Sequence, residues 1–397
     1  MTHVDSQELH VSVDVGCYQH DISVGLANGK FLGRFEINHN KAGFADFFQQ
    51  IEQYKKSSNG QVSVAMEGYN GHARPLDSLI QSKNYRLLNI NNLKLARFKE
   101  IFPGAAKTDP IDSRKGLELF QLQQTLPLAK NVLQEVHFIP QVNQELKRLT
   151  RRRRRLVNER VSYINTLQSD LRALSPGLVE ITKDVKNVWF LNFILSSKDL
   201  KSLAKKSKKS LMNIKQVGKK YLDIIIEWQK QSSFSQDIDF MSPMVMQDVQ
   251  RITTLREMIK AIDQQILTRL NQSQIGQRLI TINGFGVTSC AELAGEIGCI
   301  ERFKKESSLA LYIGMAALDN SSGKYKGSKA SKQVNRNAKM AMMAAVDHNR
   351  RRIEQSQKYY DKKRLEGKKH NQAIRSLGRH LTRVIYKMLK EDRDYYI

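Results

Sequence analysis

The stretch VSVDVG, residues 11–16, decides the reading of the fold. Val11, Val13 and Val15 alternate with polar residues, the two-residue period of a half-buried strand. HDISVGLA (20–27) and KFLGRFEIN (30–38) follow at short spacing, so the three runs predict antiparallel strands joined by tight turns. KAGFADFFQQIEQYKK (41–56) switches to helical spacing, with Phe44, Phe47, Phe48 and Ile51 on one face. VSVAMEG (62–68) reads as a strand, GHARPLDSLIQS (71–82) as a helix, and YRLLNIN (85–91) as a strand.

A further helix is expected from KTDPID (107–112) onward. Three strands, helix, strand, helix, strand, helix is the order of an RNase H-like (RuvC-like) sheet, and residues 1–135 are assigned to such an α/β domain. Asp14 lies mid-strand between valines, where an unpaired charge is costly, and Glu67 closes the VSVAME strand. In this order the two strands are neighbours and the helix from Asp109 packs beside them, so Asp14, Glu67, Asp109 and Asp112 can converge. Asp109 and Asp112 also have a local explanation. Pro110 suits the first helical position, which makes Asp109 an N-cap and Asp112 the third helical residue, both favourable to the helix dipole. Four converging carboxylates repel one another unless divalent cations sit among them. Such a cluster holding Mg²⁺, two ions per site, is a device for phosphodiester cleavage.

The charge balance points the same way. Against 39 Asp+Glu the 397-residue chain carries 65 Lys+Arg, a formal net charge of +26. A surface of that kind attracts polyanions, nucleic acid first. No apolar run approaches the ~18 residues of a spanning helix. The polar N-terminus lacks a signal-peptide core. We therefore expect no membrane partner and a cytoplasmic, nucleoid-associated location in a prokaryote. Cys17, Cys290 and Cys299 are far apart, without metal-ligand spacing, and are expected to be reduced core residues.

From about residue 141 the pattern is purely helical. In LVNERVSYINTLQSDLRAL (156–174), Val157, Ile164 and Leu171 repeat every seven residues, as do Leu167 and Leu174. VQRITTLREMIKAIDQQILTRL (249–270) is a second long amphipathic helix, and the pair suggests a helical hairpin or dimerisation arm over 136–272; a plain spacer is the alternative. Between them SSKDLKSLAKKSKKS (196–210) reads as a loop or a solvated helix end. Arg151, Arg152, Arg153, Arg154 and Arg155 wrap more than one helix face, so some must meet a partner chain or nucleic acid. In LITINGFGVTSCAELAGEIG (279–298), Gly284 and Gly286 form a hairpin that either lets backbone N–H groups approach a phosphate or simply joins two helices. ALDNSSGKYKGSKASKQ (317–333) reads as a Gly/Ser/Lys loop carrying Lys324 and Lys326. In the last helix Ile374, Leu377, Leu381, Val384, Ile385 and Met388 form an apolar stripe. Arg375, Arg379, Arg383 and Lys387 form a cationic one, either a solvated face or phosphate contacts.

These motifs, with VAMEGYNG (64–71), AAKTDPIDSRKGLEL (105–119), SSGKYKGSKASKQVNRNAKMAMM (321–343) and YYDKKRLEGKKHNQAIRSLGRHLTRVIYKML (359–389), resemble, in this order, the DEDD-type transposases and DNA invertases of the Piv family. That group includes the bridge-RNA-guided insertion-sequence recombinases. The resemblance runs over nearly the whole chain. It implies that Asp14, Glu67, Asp109 and Asp112 are the metal ligands. It also implies that the mainly helical C-terminal transposase domain, 273–397, supplies a serine nucleophile, Ser322 before Gly323, with Ser321 adjacent. It further implies donor and target DNA as substrates and a noncoding guide RNA as partner. A homodimer or tetramer is expected, because recombination acts on four strands. Two departures affect loop geometry: Asn283 stands where proline usually precedes the first glycine, and Lys324 where a second glycine is common. The competing classes are an RNase H-type nuclease without serine chemistry and a non-catalytic nucleic-acid scaffold.

Overall fold

The computed structural model describes residues 8–56, 58, 60–67, 71–91, 95, 109–125, 132–323, 325–329, 331 and 334–396; at 109–112, 319, 325–326 and 328–329 it describes the backbone alone. The chain divides into two compact units, Met1–Phe138 and Ile139–Ile397.

In the first unit, strands β1 (Leu9–Val15), β2 (Gln19–Leu26) and β3 (Phe31–Asn38) form an antiparallel meander. Strands β4 (Val62–Met66) and β5 (Arg86–Ile90) extend it in parallel from the β1 edge. A short antiparallel β6 (Leu133–Glu135), which its three residues hid in the sequence, closes the order β3-β2-β1-β4-β5-β6. Such a mixed sheet followed by a largely helical body is compatible with an RNase H-like domain.

The period of two sorts the faces. Leu9, Val11 and Val13 of β1 pack with Phe44, Phe47 and Ile51 of α1 (Lys41–Lys55) and Leu76 and Ile80 of α2 (Arg74–Ser82). Helix α1 starts where Asn40 accepts a hydrogen bond from the Gly43 amide, satisfying an N-terminal donor. On the opposite face lies α3 (Asp109–Thr125), with Leu119 and Phe120 packed against Ala65, Leu88 and Ile90. Gly116 lets α3 come close: a Cβ there would lie 2.1 Å from the Ser12 hydroxyl. His10, beside Ser12 on this face, stacks on Phe120 with ring centroids 4.0 Å apart.

The second unit is organised by two long helices, α4 (Gln141–Leu174) and α9 (Ile238–Gln272). Ion pairs Glu145–Arg269, Arg153–Asp263 and Glu159–Arg251 show that they run antiparallel. Leu156 packs on Leu255 and Ile259. The heptad stripe is covered within this chain. Leu167, Leu171 and Leu174 are buried among Val245, Val249, Ile252 and an insert between the long helices, and Ile164 packs at the edge of the same core. The structure thus shows an intrachain helical hairpin.

The insert corrects the reading of 196–210 as a loop or solvated helix end. It holds α5 (Val188–Leu195), α6 (Leu200–Leu203), α7 (Lys208–Met212) and α8 (Lys219–Gln231). Leu200, Leu203 and Leu211 are fully buried, so three leucines anchor the segment while its lysines face water. Asp199 and Ser207 cap α6 and α7.

The rest of this unit packs α10 (Gln274–Ile280), α11 (Val287–Ile297), α12 (Glu306–Tyr312), α13 (Arg336–Arg350), α14 (Glu354–Leu365) and α15 (His370–Glu391) around one core. The apolar stripe of α15 enters it: Ile374, Leu377, Leu381, Ile385 and Met388 are buried and Val384 packs at its edge. Residues read as a Gly/Ser/Lys loop instead form a hairpin, β7 (Leu318–Ser322) and β8 (Tyr325–Lys329). Polar strands of five residues give no hydrophobic alternation to read. Cys290 and Cys299 are buried as expected, but Cys17 is exposed, because the β1–β2 turn carries it to the surface. Among the described residues no helix is long and apolar enough to cross a membrane.

Gly295 is a sharp constraint in this packing. A Cβ there would lie 2.5 Å from the Lys147 backbone nitrogen and 2.7 Å from its Cα, so α11 and α4 touch main chain to side-chain-free position. Gly295→Ala gains helix propensity, yet it must push two backbones apart. It is expected to destabilise the protein by about 1–3 kcal/mol. A urea midpoint equal to or above that of the parent would contradict this contact.

Candidate active site

The first cluster forms on the α3 face of the sheet. Asp14 is partly buried near the carboxyl end of β1, on the face opposite Val13. Val13 pairs with Met66 in the parallel β1–β4 ladder. Asp14 follows Val13 and Glu67 follows Met66, so the two carboxylates come near the carboxyl ends of neighbouring parallel strands. Ligand sites of open α/β sheets form at such strand ends. On the other side of Asp14 its cross-strand partner is Asp21 of β2.

Asp21 was not singled out from the sequence, and its environment explains its role. It is 5% exposed and receives hydrogen bonds from Arg34 of β3, one of them through Nε at 2.7 Å. Like charges directly opposed across strands are destabilising, and Arg34 offsets the second of the two. The Ser113 hydroxyl also donates to Asp21, and Ser23 lies 2.8 Å from Ser113. Ser113 is in the first turns of α3, so this contact pins the start of that helix to β2. The backbone at Asp109 and Asp112 is therefore carried on the Asp14 face; the helix begins at Asp109 itself. The side chains of Asp109 and Asp112 lie outside the described residues. Among the described residues no group of three or more His, Cys, Asp or Glu is placed to hold a metal ion. The donors that α3 would add are all carboxylates, and an all-oxygen set suits a hard divalent cation.

The second cluster belongs to the C-terminal unit. Ser321 and Ser322 are exposed at the end of β7, where Ser322 pairs with Tyr325 of β8. Gly323, next after Ser322, has φ +56, a conformation glycine tolerates. Lys324 lies outside the described residues, and Lys326 is described by its backbone alone, in β8. Below the hairpin is a cleft of about 1030 Å³ lined by Arg336, Lys339, Lys368, Arg375, Arg379, His380 and Tyr359. The chain Gly314–Ala317 that leads into β7 forms another wall. No acid is among its described lining residues. His380 lies 2.9 Å from the Tyr359 hydroxyl; burial, with Arg383 and Arg379 nearby, lowers its pKa. Arg336, Lys339 and Lys368 were missed in the sequence because their segments meet only in the fold.

The predicted cationic residues divide into engaged and open ones. Arg379 pairs with Glu306 and Lys387 with Glu391, while Arg383 is exposed. In the arginine run, Arg151 grips Glu296 through two hydrogen bonds of 2.6 and 2.9 Å. Arg153 grips Asp263 at 2.5 Å, and Arg154 holds Glu292, also at 2.5 Å. Only Arg152 and Arg155 of the five are exposed with no ion pair among the described residues, so a nucleic-acid role for the run falls to them. Gly284, at φ +90, allows the turn to touch α13, since a Cβ would lie 2.5 Å from Asn349 Cα. Gly286 is the N-cap of α11 and has open space around it. The two glycines join two helices, and Gly284 serves packing.

Glu296 joins three elements. It is 1% exposed and receives hydrogen bonds from Arg151 of α4 and, at 2.7 Å, from Asn335, which also caps α13. Burial alone would raise its pKa, but the Arg151 and Asn335 hydrogen bonds prevail and hold it below the ordinary carboxylate value. Glu292, one turn earlier, is instead raised, because burial outweighs Arg154.

Carboxylates near the ends of neighbouring parallel strands, in a chain of net charge +26, suit a protein that acts on DNA. The comparisons agree. A family model for DEDD transposases of the IS110 type matches residues 11–176, and one described as the transposase IS116/IS110/IS902 family matches residues 276–361. The chain is 24% identical over 314 residues to the insertion element IS110 43.6 kDa protein of Streptomyces coelicolor, covering 76% of this chain and 75% of that protein. It is 22% identical to the insertion element IS116 44.8 kDa protein of Streptomyces clavuligerus, covering 96% and 95% of the two. With the insertion element IS900 42 kDa protein of Mycobacterium paratuberculosis the identity is 31% over 136 residues, 34% of each. The chain belongs to the IS110 family of DEDD transposases. At the level of the family, this means DNA as substrate, strand cleavage and rejoining as activity, and use of a divalent metal.

The Glu296 hub makes a pH-dependent prediction. A depressed folded pKa contributes stability that is present above the unfolded value and lost as pH falls through the folded one. Glu296→Gln should therefore cost about 1.5–3 kcal/mol near neutral pH, with Arg151 half exposed and able to rehydrate. The deficit against the parent should shrink as pH falls below the ordinary carboxylate range. Urea titrations at neutral and acidic pH check this; a deficit that grows on acidification would contradict it.

Proposed function

We propose that this transposase cuts and rejoins DNA through a serine-linked intermediate, with the carboxylates Asp14, Glu67, Asp109 and Asp112 as the metal site and Ser322 as the nucleophile. The observation that supports this reading is the β1–β4 register, in which Val13 pairs with Met66, so that Asp14 and Glu67 come next on neighbouring parallel strands. On this reading residues 1–135 are the metal domain, 136–272 the dimerisation region and 273–397 the serine domain. Mg²⁺ held by the four carboxylates, two ions per site, would supply charge neutralisation and Lewis acidity at the scissile phosphate. Ser322 Oγ forms a new bond to phosphorus as the phosphodiester P–O bond breaks, and the serine proton ends on the departing DNA hydroxyl. The phosphoserine link keeps the bond energy until the hydroxyl of another DNA end displaces the serine. The cleft below the hairpin, with Arg336, Lys339 and Arg375, supports the reading by offering cations to the phosphates on either side. A noncoding guide RNA chooses both DNA partners, and the charge of +26 exceeds what one duplex contact requires.

Three outcomes follow. Asp14→Asn and Glu67→Gln should each lower strand cleavage by more than about 100-fold, the upper end of what losing even an outer partner of a metal ligand costs. Filter binding should show DNA affinity little changed. Normal cleavage by both variants in EDTA-treated buffer would remove the metal assignment.

A long helical pair stands in sequence between the carboxylates and the serine, so we propose that the site is composite, with carboxylates from one protomer and Ser322 from another. Ser322→Ala and Asp14→Asn are each expected to be inactive alone. Mixed, they should recover cleavage at one strand position. No recovery, with subunit exchange confirmed, would put both halves in one chain.

The purified protein should carry a discrete noncoding RNA encoded beside its gene. RNase-treated, RNA-free protein that recombines its native sites at full rate would replace guidance with direct protein readout.

A further inference from the structure

The helical insert meets the long hairpin at a small cavity of about 330 Å³. Arg160 of α4, Arg256 of α9 and Lys186, just before α5, line it, over an apolar base of Leu191 and Ile252. No acid lines it among the described residues. Three cations from three segments separated by up to 96 positions are brought together only by the fold. Like charges so gathered repel one another, and some group of opposite sign must offset that cost.

The arrangement also leaves a donor over. Arg160 Nε is buried and has no hydrogen-bond partner among the described residues. A buried guanidinium N–H without an acceptor costs a full desolvation penalty, so a native protein retains one only where something else completes it. Other arginines on the same helices are completed internally: Arg153 by Asp263 and Arg251 by Glu159. Arg160 and Arg256 lie among these, and neither has an ion pair among the described residues. Lys186 pairs with Asp184 at 2.7 Å, but it is 61% exposed and can turn. Val188, the first residue of α5, also lines the cavity, and no side chain caps that helix.

We propose that this cavity is an oxyanion site that takes one phosphate group. Arg160 Nε and the Arg256 guanidinium donate to its oxygens, and Lys186 adds charge. Arginine forks match phosphate oxygens in geometry, and the apolar base sheds water from one side of the group. The source of the phosphate is either a nucleic-acid backbone or a free phosphate ion. None of its residues belongs to the carboxylate cluster, the serine hairpin or the cleft below it, so the inference stands whether or not serine chemistry does.

The test uses full-length protein, with Arg160→Gln, Arg256→Gln and the double variant, beside Arg160→Lys as the charge-retaining control. In the first arm, melting temperature is measured in potassium phosphate and in potassium chloride at equal ionic strength. Phosphate should raise it for the parent, less for Arg160→Lys, and not at all for the double variant. In the second arm, affinity for a DNA duplex and for the co-purified RNA is measured across salt. If a backbone is the source, the double variant binds one of them about tenfold more weakly and its salt slope falls by about one. Stabilisation by phosphate in the first arm, with nucleic-acid affinity and slope unchanged in the second, identifies free phosphate as the source. If the double variant melts like the parent in both salts and binds both nucleic acids with the parent's slope, the site does not exist. A double variant that fails to fold gives the decision to Arg256→Gln alone, whose exposed position lets the same two arms be read.

Discussion

A carboxylate taken out of water has to be met by a cation or a proton, and both units of this protein are organised around that constraint. Asp21 is met by Arg34, Glu296 by Arg151, Glu292 by Arg154 and Glu306 by Arg379. The last three pairs join elements distant in sequence, so they also fix how the helices pack. Arg151 binds the arginine-rich helix to α11, and Asn335, on the same carboxylate, ties in the helix that follows the serine hairpin. A chain of net +26 thus uses its scarce acids as internal joints. At Asp14 and Glu67 the proposed function gives the same task to a divalent cation.

The sheet was legible because it obeys simple periods. Val11 and Val13 alternate into the core, Phe44, Phe47 and Ile51 recur at helical spacing, and the strand order follows from where these patterns switch. Asp14 stood out for the same reason, as a charge inside an apolar alternation. Asp21 did not, since its meaning depends on the cross-strand register with Asp14 and on Arg34 from a third strand. The helical insert was hidden by its lysines: Leu200, Leu203 and Leu211 are too widely spaced to form a stripe, yet all three are buried. The hairpin carrying Ser322 was hidden by its polarity.

The arginine run shows what a sequence cannot settle. Five consecutive cations look like a nucleic-acid surface, but three of them face buried or half-buried acids more than a hundred positions away. Conversely, the cleft cations Arg336, Lys339 and Lys368 look unremarkable in sequence and become a surface only when α13, α14 and α15 pack. The open charge of this protein therefore sits where helices converge, near the hairpin, and less along the run that draws the eye.

The central claim is that Ser322 becomes covalently joined to DNA. The direct measurement is to trap the protein with a DNA substrate containing its own site, denature it, digest both components and locate the nucleotide-bearing peptide by mass spectrometry. The account predicts a nucleotide phosphate on Ser322, absent from the Ser322→Ala variant. Cleaved DNA with no linked peptide would contradict it in favour of a nuclease that uses water. A linkage on Ser321 or elsewhere would keep the chemistry and overturn the residue.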